Sequence, residues 1–297
     1  MGSMVIKIQE LTKSYKRGDT PALDALSLQI ETGEIFGYLG PNGAGKTTTI
    51  RLMLDFIRPT KGHVQIFGLD VRQHSRTVRG QMGFLPGELS LWDHMTGKQT
   101  LDYLVTLRPG CDLDYAYKLA QRLKLDLSYR VGSYSTGNKR KLGIIQAMMH
   151  RPPLLILDEP TTGLDPLMRH TFNDLLREAK AHGQTVFLSS HVLSEVQAVC
   201  DRVAILRHGQ LRRVARMSEI QATLARVVTI FSADVPDDDR WLEVENVHEV
   251  RQGPGFLRLH VHGSLDAVIK RAAAYQIDDL RVETAGLEQV FMDFYHD

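Results

Sequence analysis

The sequence predicts an α/β fold, a mostly parallel sheet flanked by helices, with a helical insertion near residues 90–150 and a small α+β appendage at its C-terminal end. Three observations carry that expectation. Short apolar or β-branched runs such as Glu34–Leu39, Leu154–Glu159 and Gln184–Ser190 suit strands, the second of them buried on both faces. Stretches with helix start and stop signals stand between them. Beyond about Arg216 the alternation changes character, which divides the 297 residues into an expected domain over 4–216 and a smaller one over 217–297.

From Val5 to about Ile66, short strands alternate with a glycine-rich loop, Gly40-Pro41-Asn42-Gly43-Ala44-Gly45-Lys46-Thr47-Thr48, and the helix it opens. Thr96-Gly97-Lys98-Gln99 reads as a capping box starting a helix through Leu107, Pro109-Gly110 breaks it, and Asp114–Leu125 reads as another. Ser135 is a good N-cap for a stretch over Asn138–His150 that carries apolar Leu142, Ile145, Ala147 and Met149, and Arg151-Pro152-Pro153 stops it. Then come the strand Leu154–Glu159, a helix from Pro166 to Gly183, the strand Gln184–Ser190, and a final core strand Arg202–Leu206 turning at His208-Gly209. In the appendage, Val227–Phe231, Phe256–His260 and Leu280–Glu283 read as strands and Pro236–Asp239 as a loop. Ser264–Tyr275 reads as a capped helix and Leu287–Tyr295 as a closing one.

Candidate chemistry gathers at the strand ends. A glycine-rich loop between strand and helix turns its N–H groups inward around a polyphosphate, and the helix aims its positive end at the same charge. Lys46 can reach the outer phosphates, and Thr47 supplies a hydroxyl for Mg²⁺. Asp158, closing a run of four aliphatics, is placed to hold Mg²⁺ directly or through water, and Glu159 to polarise an attacking water. His191 follows a strand that ends at a hydroxyl pair, where a donor to a γ-phosphate belongs. The helix capped by Ser135 has an N-terminus open to an anion, and Gly137 permits close backbone approach.

With these motifs in place, the chain resembles the ATPase subunit of an ABC transporter over roughly residues 4–215. Tyr15, in Leu11-Thr12-Lys13-Ser14-Tyr15, stands where the family stacks an aromatic ring on adenine. Tyr134-Ser135-Thr136-Gly137-Asn138 stands at the family's signature, Gly163-Leu164-Asp165-Pro166 at its D-loop, and Ser189-Ser190-His191 at its switch histidine. The resemblance implies a P-loop NTPase core that hydrolyses ATP with Mg²⁺. It also implies a second ATPase subunit, whose γ-phosphate meets Ser135 and Gly137, with Asn138 and Asp165 in the same nucleotide-binding set. A transmembrane permease at the cytoplasmic face of the membrane is the further partner. Gly286–Phe291 resembles the tail of subunits that serve ABC-2 type exporters, so export is the expected direction.

Two positions depart from the family pattern. Gly87, in Phe84-Leu85-Pro86-Gly87-Glu88, occupies the place of the Q-loop glutamine, and Glu88 is the nearest polar substitute. In the signature, Thr136 replaces a glycine and Asn138 a glutamine, while Ser135 and Gly137 are kept.

Composition narrows the partners. With 36 basic and 35 acidic residues the net charge is +1, so the cluster Arg207, Arg212, Arg213 and Arg216 reads as a solvated face and no nucleic-acid partner is expected. No apolar run approaches the ~20 residues needed to span a bilayer, and there is no signal-peptide pattern, so a cytoplasmic protein is expected. Cys111 and Cys200 have no metal or redox spacing, and Met1-Gly2-Ser3 ahead of Met4 reads as a cloning remnant. Two alternatives stand beside the exporter: a soluble mechanical ATPase of the same kind acting on nucleic acid or ribosomes, and an importer subunit. The appendage shows no catalytic constellation, which leaves structural support, regulation, dimer stabilisation and docking open as its role.

Overall fold

The computed structural model describes residues 3–16, 18, 20–108, 111–223, 225–232 and 239–284. They form two compact units that divide between Ala215 and Arg216. The first unit runs β1 (Met4–Lys13), β2 (Leu23–Glu31), β3 (Ile35–Leu39), α1 (Lys46–Met53), β4 (Lys61–Ile66), β5 (Leu69–Asp70), α2 (Ser75–Gly80) and β6 (Met82–Leu85). It continues with α3 (Gly97–Leu107), α4 (Leu113–Arg122), α5 (Thr136–Met148), β7 (Leu154–Asp158), α6 (Pro166–Ala181), β8 (Thr185–Ser190), α7 (Leu193–Val199), β9 (Arg202–Arg207) and β10 (Gln210–Arg216).

The main sheet has the order β10-β9-β3-β8-β7-β6, and its neighbours from β9 to β6 pair in parallel. Every residue of β3 and β7 is buried, as continuous aliphatic runs require. The register sets Leu39 beside Ser190 and Asp158 beside Ser189, so three carboxyl ends open on one edge of the sheet. That edge is the usual ligand edge of a parallel sheet.

A parallel sheet is only part of the architecture. Strands β2-β1-β4-β5 form a second sheet that is antiparallel throughout. The reason lies in β2, which buries Leu26, Leu28 and Ile30 and exposes the residues between them, a pattern suited to a sheet with one wet face. Helix α1 shares a core with both sheets: its Ile50, Leu52 and Met53 join Ile6, Ile8 and Leu26 from one and Phe36, Tyr38 and Phe187 from the other. Each such side chain contributes about 1.5–3 kcal/mol by leaving water, so the helix that follows the glycine-rich loop is firmly anchored.

Helices α3, α4 and α5 pack together. The predicted capping box is present, with Thr96 Oγ1 accepting from Gln99 N and Gln99 Oε1 accepting from Thr96 N. Asp112 caps α4, which therefore starts one residue ahead of Asp114. Ser135 caps α5 through the N–H of Asn138, so the helix begins at Thr136 rather than Asn138.

The second unit contains α8 (Met217–Thr223), β11 (Ala225–Phe231), a 3-10 turn at Asp239–Glu243, β12 (Val247–Gly253), β13 (Phe256–His262), α9 (Asp266–Ala272) and β14 (Asp279–Thr284). Its sheet has the order β12-β13-β11-β14 and is antiparallel. Val228, Ile230, Leu257, Leu259 and Val261 line the covered face with Trp241, Val268 and Ala272. Helix α9 is shorter than Ser264–Tyr275: Ser264 Oγ accepts from Asp266 N ahead of the helix, and Leu265 holds the cap position without a side-chain bond. The breaker Pro109-Gly110, the loop residues 236–238 and the closing helix Leu287–Tyr295 with its Gly286–Phe291 motif lie outside the described residues.

Candidate functional site

The glycine-rich loop leaves β3 at Leu39 and enters α1 at Lys46. Gly45 takes φ 108°, a left-handed conformation that a residue with a Cβ adopts only under strain, and a Cβ there would lie 2.6 Å from the Ala22 carbonyl. Pro41, Asn42 and Gly43 are exposed, and Ala44 is buried against the core. Lys46 curls back beneath the loop, and its Nζ donates to Gly40 O at 2.7 Å and to Pro41 O at 3.2 Å. The buried ammonium is thereby held at the loop's centre.

Asp158 ends β7, one strand beyond β8 from β3, and Glu159 follows it. Asp158 Oδ2 accepts from Thr47 Oγ1 at 3.0 Å, and its Oδ1 accepts from Ser189 Oγ at 2.5 Å. Ser189 Oγ in turn accepts from Glu159 N at 3.1 Å. Glu159 Oε1 lies 3.3 Å from Lys46 Nζ, and Glu159 Oε2 lies 2.8 Å from His191 Nδ1. The structure thus brings Lys46, Thr47, Asp158, Glu159 and His191 into one connected cluster on the open sheet edge. Ser189, which ties the two carboxylates to β8, is a member that sequence reasoning treated only as a landmark before His191.

A hydroxyl and a carboxylate oxygen 3.0 Å apart fit Mg²⁺, which takes one or two protein oxygens and completes its shell with water and substrate phosphate. Thr47 and Asp158 are the residues that would hold it. Tyr15 is 58% exposed beside the loop, its hydroxyl 3.3 Å from Thr48 Oγ1 and Lys13 Nζ 5.3 Å from its ring centroid, an exposed aromatic residue of the kind that stacks on a base.

The remaining predicted residues form a separate cluster. Gly137, behind the exposed cap Ser135, backs onto the D-loop of the same chain: a Cβ at residue 137 would sit 2.7 Å from Gly163 O. Asp165 caps α6, with Oδ1 accepting from Met168 N at 2.9 Å. Among the described residues no hydrogen bond or ion pair joins Ser135, Gly137, Asn138 or Asp165 to the Lys46–Asp158–Glu159–His191 cluster. At the predicted Q-loop, Gly87 abuts the Asp158 carboxylate, whereas Glu88 is exposed.

A strand, glycine loop and helix beside two acidic strand-end residues and a histidine define a nucleotide-binding ATPase of the P-loop class. Residues 23–162 match the sequence profile described as ABC transporter. A bacitracin transport ATP-binding protein of Enterococcus faecalis is 36% identical over 219 residues, 73% of this chain and 70% of the relative. A Nod factor export ATP-binding protein of Rhizobium meliloti is 37% identical over 213 residues, 70% of this chain and 63% of the relative. Among solved structures, an ATP-binding subunit of an ABC transporter is 28% identical with a TM-score of 0.67, covering 73% of this chain and 92% of that one. The chain belongs to the ABC transporter family, as an ATP-binding subunit that hydrolyses ATP. Among the described residues no helix is long and apolar enough to cross a membrane.

Proposed function

We propose that this chain powers an exporter: two ATPase subunits close head-to-tail on two ATP molecules and drive a separate transmembrane permease from the cytoplasmic face. The observation that carries this reading is the separation, within one chain, of the Lys46 cluster from the Ser135–Gly137 cluster, each of which is half of an ATP site. A second subunit supplies the missing half. Relatives that transport bacitracin or export Nod factor support export as the direction.

In this reading Tyr15 stacks on adenine, and the backbone of Gly40–Thr48 cradles the phosphates. Lys46 pairs with the outer phosphates, Glu159 orients and polarises water, and His191 donates to the γ-phosphate and steadies Glu159. Thr47 and Asp158 would hold Mg²⁺, which would supply neutralisation of phosphate charge. Residues 4–216 form the ATPase domain and 217–297 an accessory one. A cleft of about 400 Å³, lined by apolar Met82, Phe84, Leu104, Leu107 and Met149 and by polar Arg79, Arg108, Gln146 and His150, offers a mixed apolar and basic seat beside the helical region for the permease.

The test is sedimentation of the purified chain with and without ATP-Mg²⁺, alongside co-purification from membranes. ATP-dependent association together with capture of a polytopic membrane protein is the expected result. A dimer indifferent to ATP would sink the head-to-tail reading.

A further inference from the structure

Arg140 stands on α5, just over one turn behind the Ser135 cap, yet it is 4% exposed. No carboxylate lies in ion-pair contact with it among the described residues. Instead its guanidinium forks across two consecutive carbonyls: Nη1 donates to Pro86 O and Nη2 to Gly87 O, each at 2.7 Å. Burying a guanidinium is costly, and an aliphatic side chain would fill this space without that penalty. Burial lowers its proton affinity, while the fields of Asp158 and Glu159 work the other way, which puts those carboxylates within its electrostatic reach.

The loop that Arg140 grips ends against the catalytic edge. A Cβ on residue 87 would stand 3.3 Å from Asp158 Oδ2, and that oxygen is the one that accepts from Thr47. A contiguous path therefore runs from the Ser135 cap along α5 to Arg140, across Pro86-Gly87 to Asp158, and on to the phosphate loop. A planar fork suits two acceptors one residue apart, and a lysine ammonium does not reproduce that geometry.

We propose that Arg140 is a positioning residue for ATP hydrolysis, which by gripping Pro86 and Gly87 relays the seating of the α5 N-terminus on the opposite subunit's nucleotide to the Asp158–Thr47 pair. It rests on the head-to-tail reading above. The side chain touches no reacting atom and acts through the loop, so its removal changes where Asp158 stands rather than whether ATP binds.

The experiment uses the full chain as Arg140→Gln and Arg140→Lys, with turnover measured against ATP and Mg²⁺, a fluorescent ATP analogue for affinity, and thermal unfolding for folding. Both variants should bind nucleotide within about threefold of wild type, lose roughly tenfold or more in kcat, need more Mg²⁺ for half-saturation, and lose cooperativity in ATP. Turnover that falls only with the folded fraction, at unchanged Mg²⁺ dependence and Hill coefficient, would overturn the relay. So would full rescue by lysine. Glu159→Gln provides the parallel arm. If that protein does not dimerise with ATP, the head-to-tail reading fails and the relay with it; if it dimerises while the Arg140 variants hydrolyse normally, the relay alone fails.

Discussion

Lys46 and Glu159 form an ion pair across the loop, Nζ to Oε1 at 3.3 Å, with side-chain exposures of 6% and 19%. Oε1 accepts no hydrogen bond in this arrangement, so charge attraction alone holds it. An incoming polyphosphate therefore competes with Glu159 for the same ammonium. Glu159 is held on its other side by His191 at 2.8 Å, which keeps it at the site when Lys46 turns to the phosphate.

Glu159→Gln should lower ATP turnover by about 10²–10³-fold while keeping or improving ATP affinity, because the amide fills the position but neither polarises water nor competes for Lys46. Lys46→Ala should instead lose affinity. Steady-state hydrolysis and equilibrium nucleotide binding on the two variants separate the roles, and wild-type turnover in Glu159→Gln would refute the assignment.

Ser135→Arg should abolish ATP-driven association while leaving the monomer's nucleotide affinity unchanged. The exposed hydroxyl caps α5, and a long side chain there obstructs the surface offered to the opposite phosphate site. Losing the cap should also cost about 0.5–2 kcal/mol of stability. Sedimentation with ATP-Mg²⁺ and a thermal melt report the two effects.

Glu88→Ala should leave turnover of the isolated subunit within about twofold of wild type, as is usual for a change at an exposed position away from a packed network. The structure gives the place beside Asp158 to the backbone of Gly87 and leaves Glu88 exposed. An effect that appears only with the permease present would assign Glu88 to coupling, and a loss in the isolated subunit would return it to the catalytic site.

His150 adds a pH dependence of stability. Burial first, and then the charge of Arg108, push its pKa from 6.5 to about 4, while a bond between Nε2 and Met82 O partly offsets them. The unfolded chain therefore binds more protons between those values, and the associated stability, complete above pH 6.5, drains away as pH falls toward 4. Between pH 6.5 and 4.5 the thermal midpoint should fall roughly 3–6 °C further in wild type than in His150→Gln. Parallel melts that track each other would reject the claim.

Much of the site was legible because its chemistry is local in sequence. The loop Gly40–Thr48, the carboxylates Asp158-Glu159 and the strand before His191 each carry their signal within a few residues, and the parallel register brings them together. Other parts depend on contacts between distant segments. Arg140 sits within the basic run Lys139-Arg140-Lys141, where nothing local distinguishes the one residue that folds inward to a loop 53 and 54 positions away. The antiparallel sheet was hidden for a related reason: β1 and β4 are neighbours in space but are separated in sequence by β2, β3 and α1. Strand β12 went unread because Val247–Gly253 buries little beyond Val247 and owes its place to pairing with β13.

Glu159 holds a backbone φ of 48°, in the left-handed region that glycine and asparagine occupy with little strain and glutamate does not. Relaxing that turn should make Glu159→Gly or Glu159→Asn a more heat-resistant protein and a nearly inactive one. Directed evolution for thermostability without an activity screen would be drawn to this codon, and its gain in melting temperature would come from discarding the group proposed to activate water.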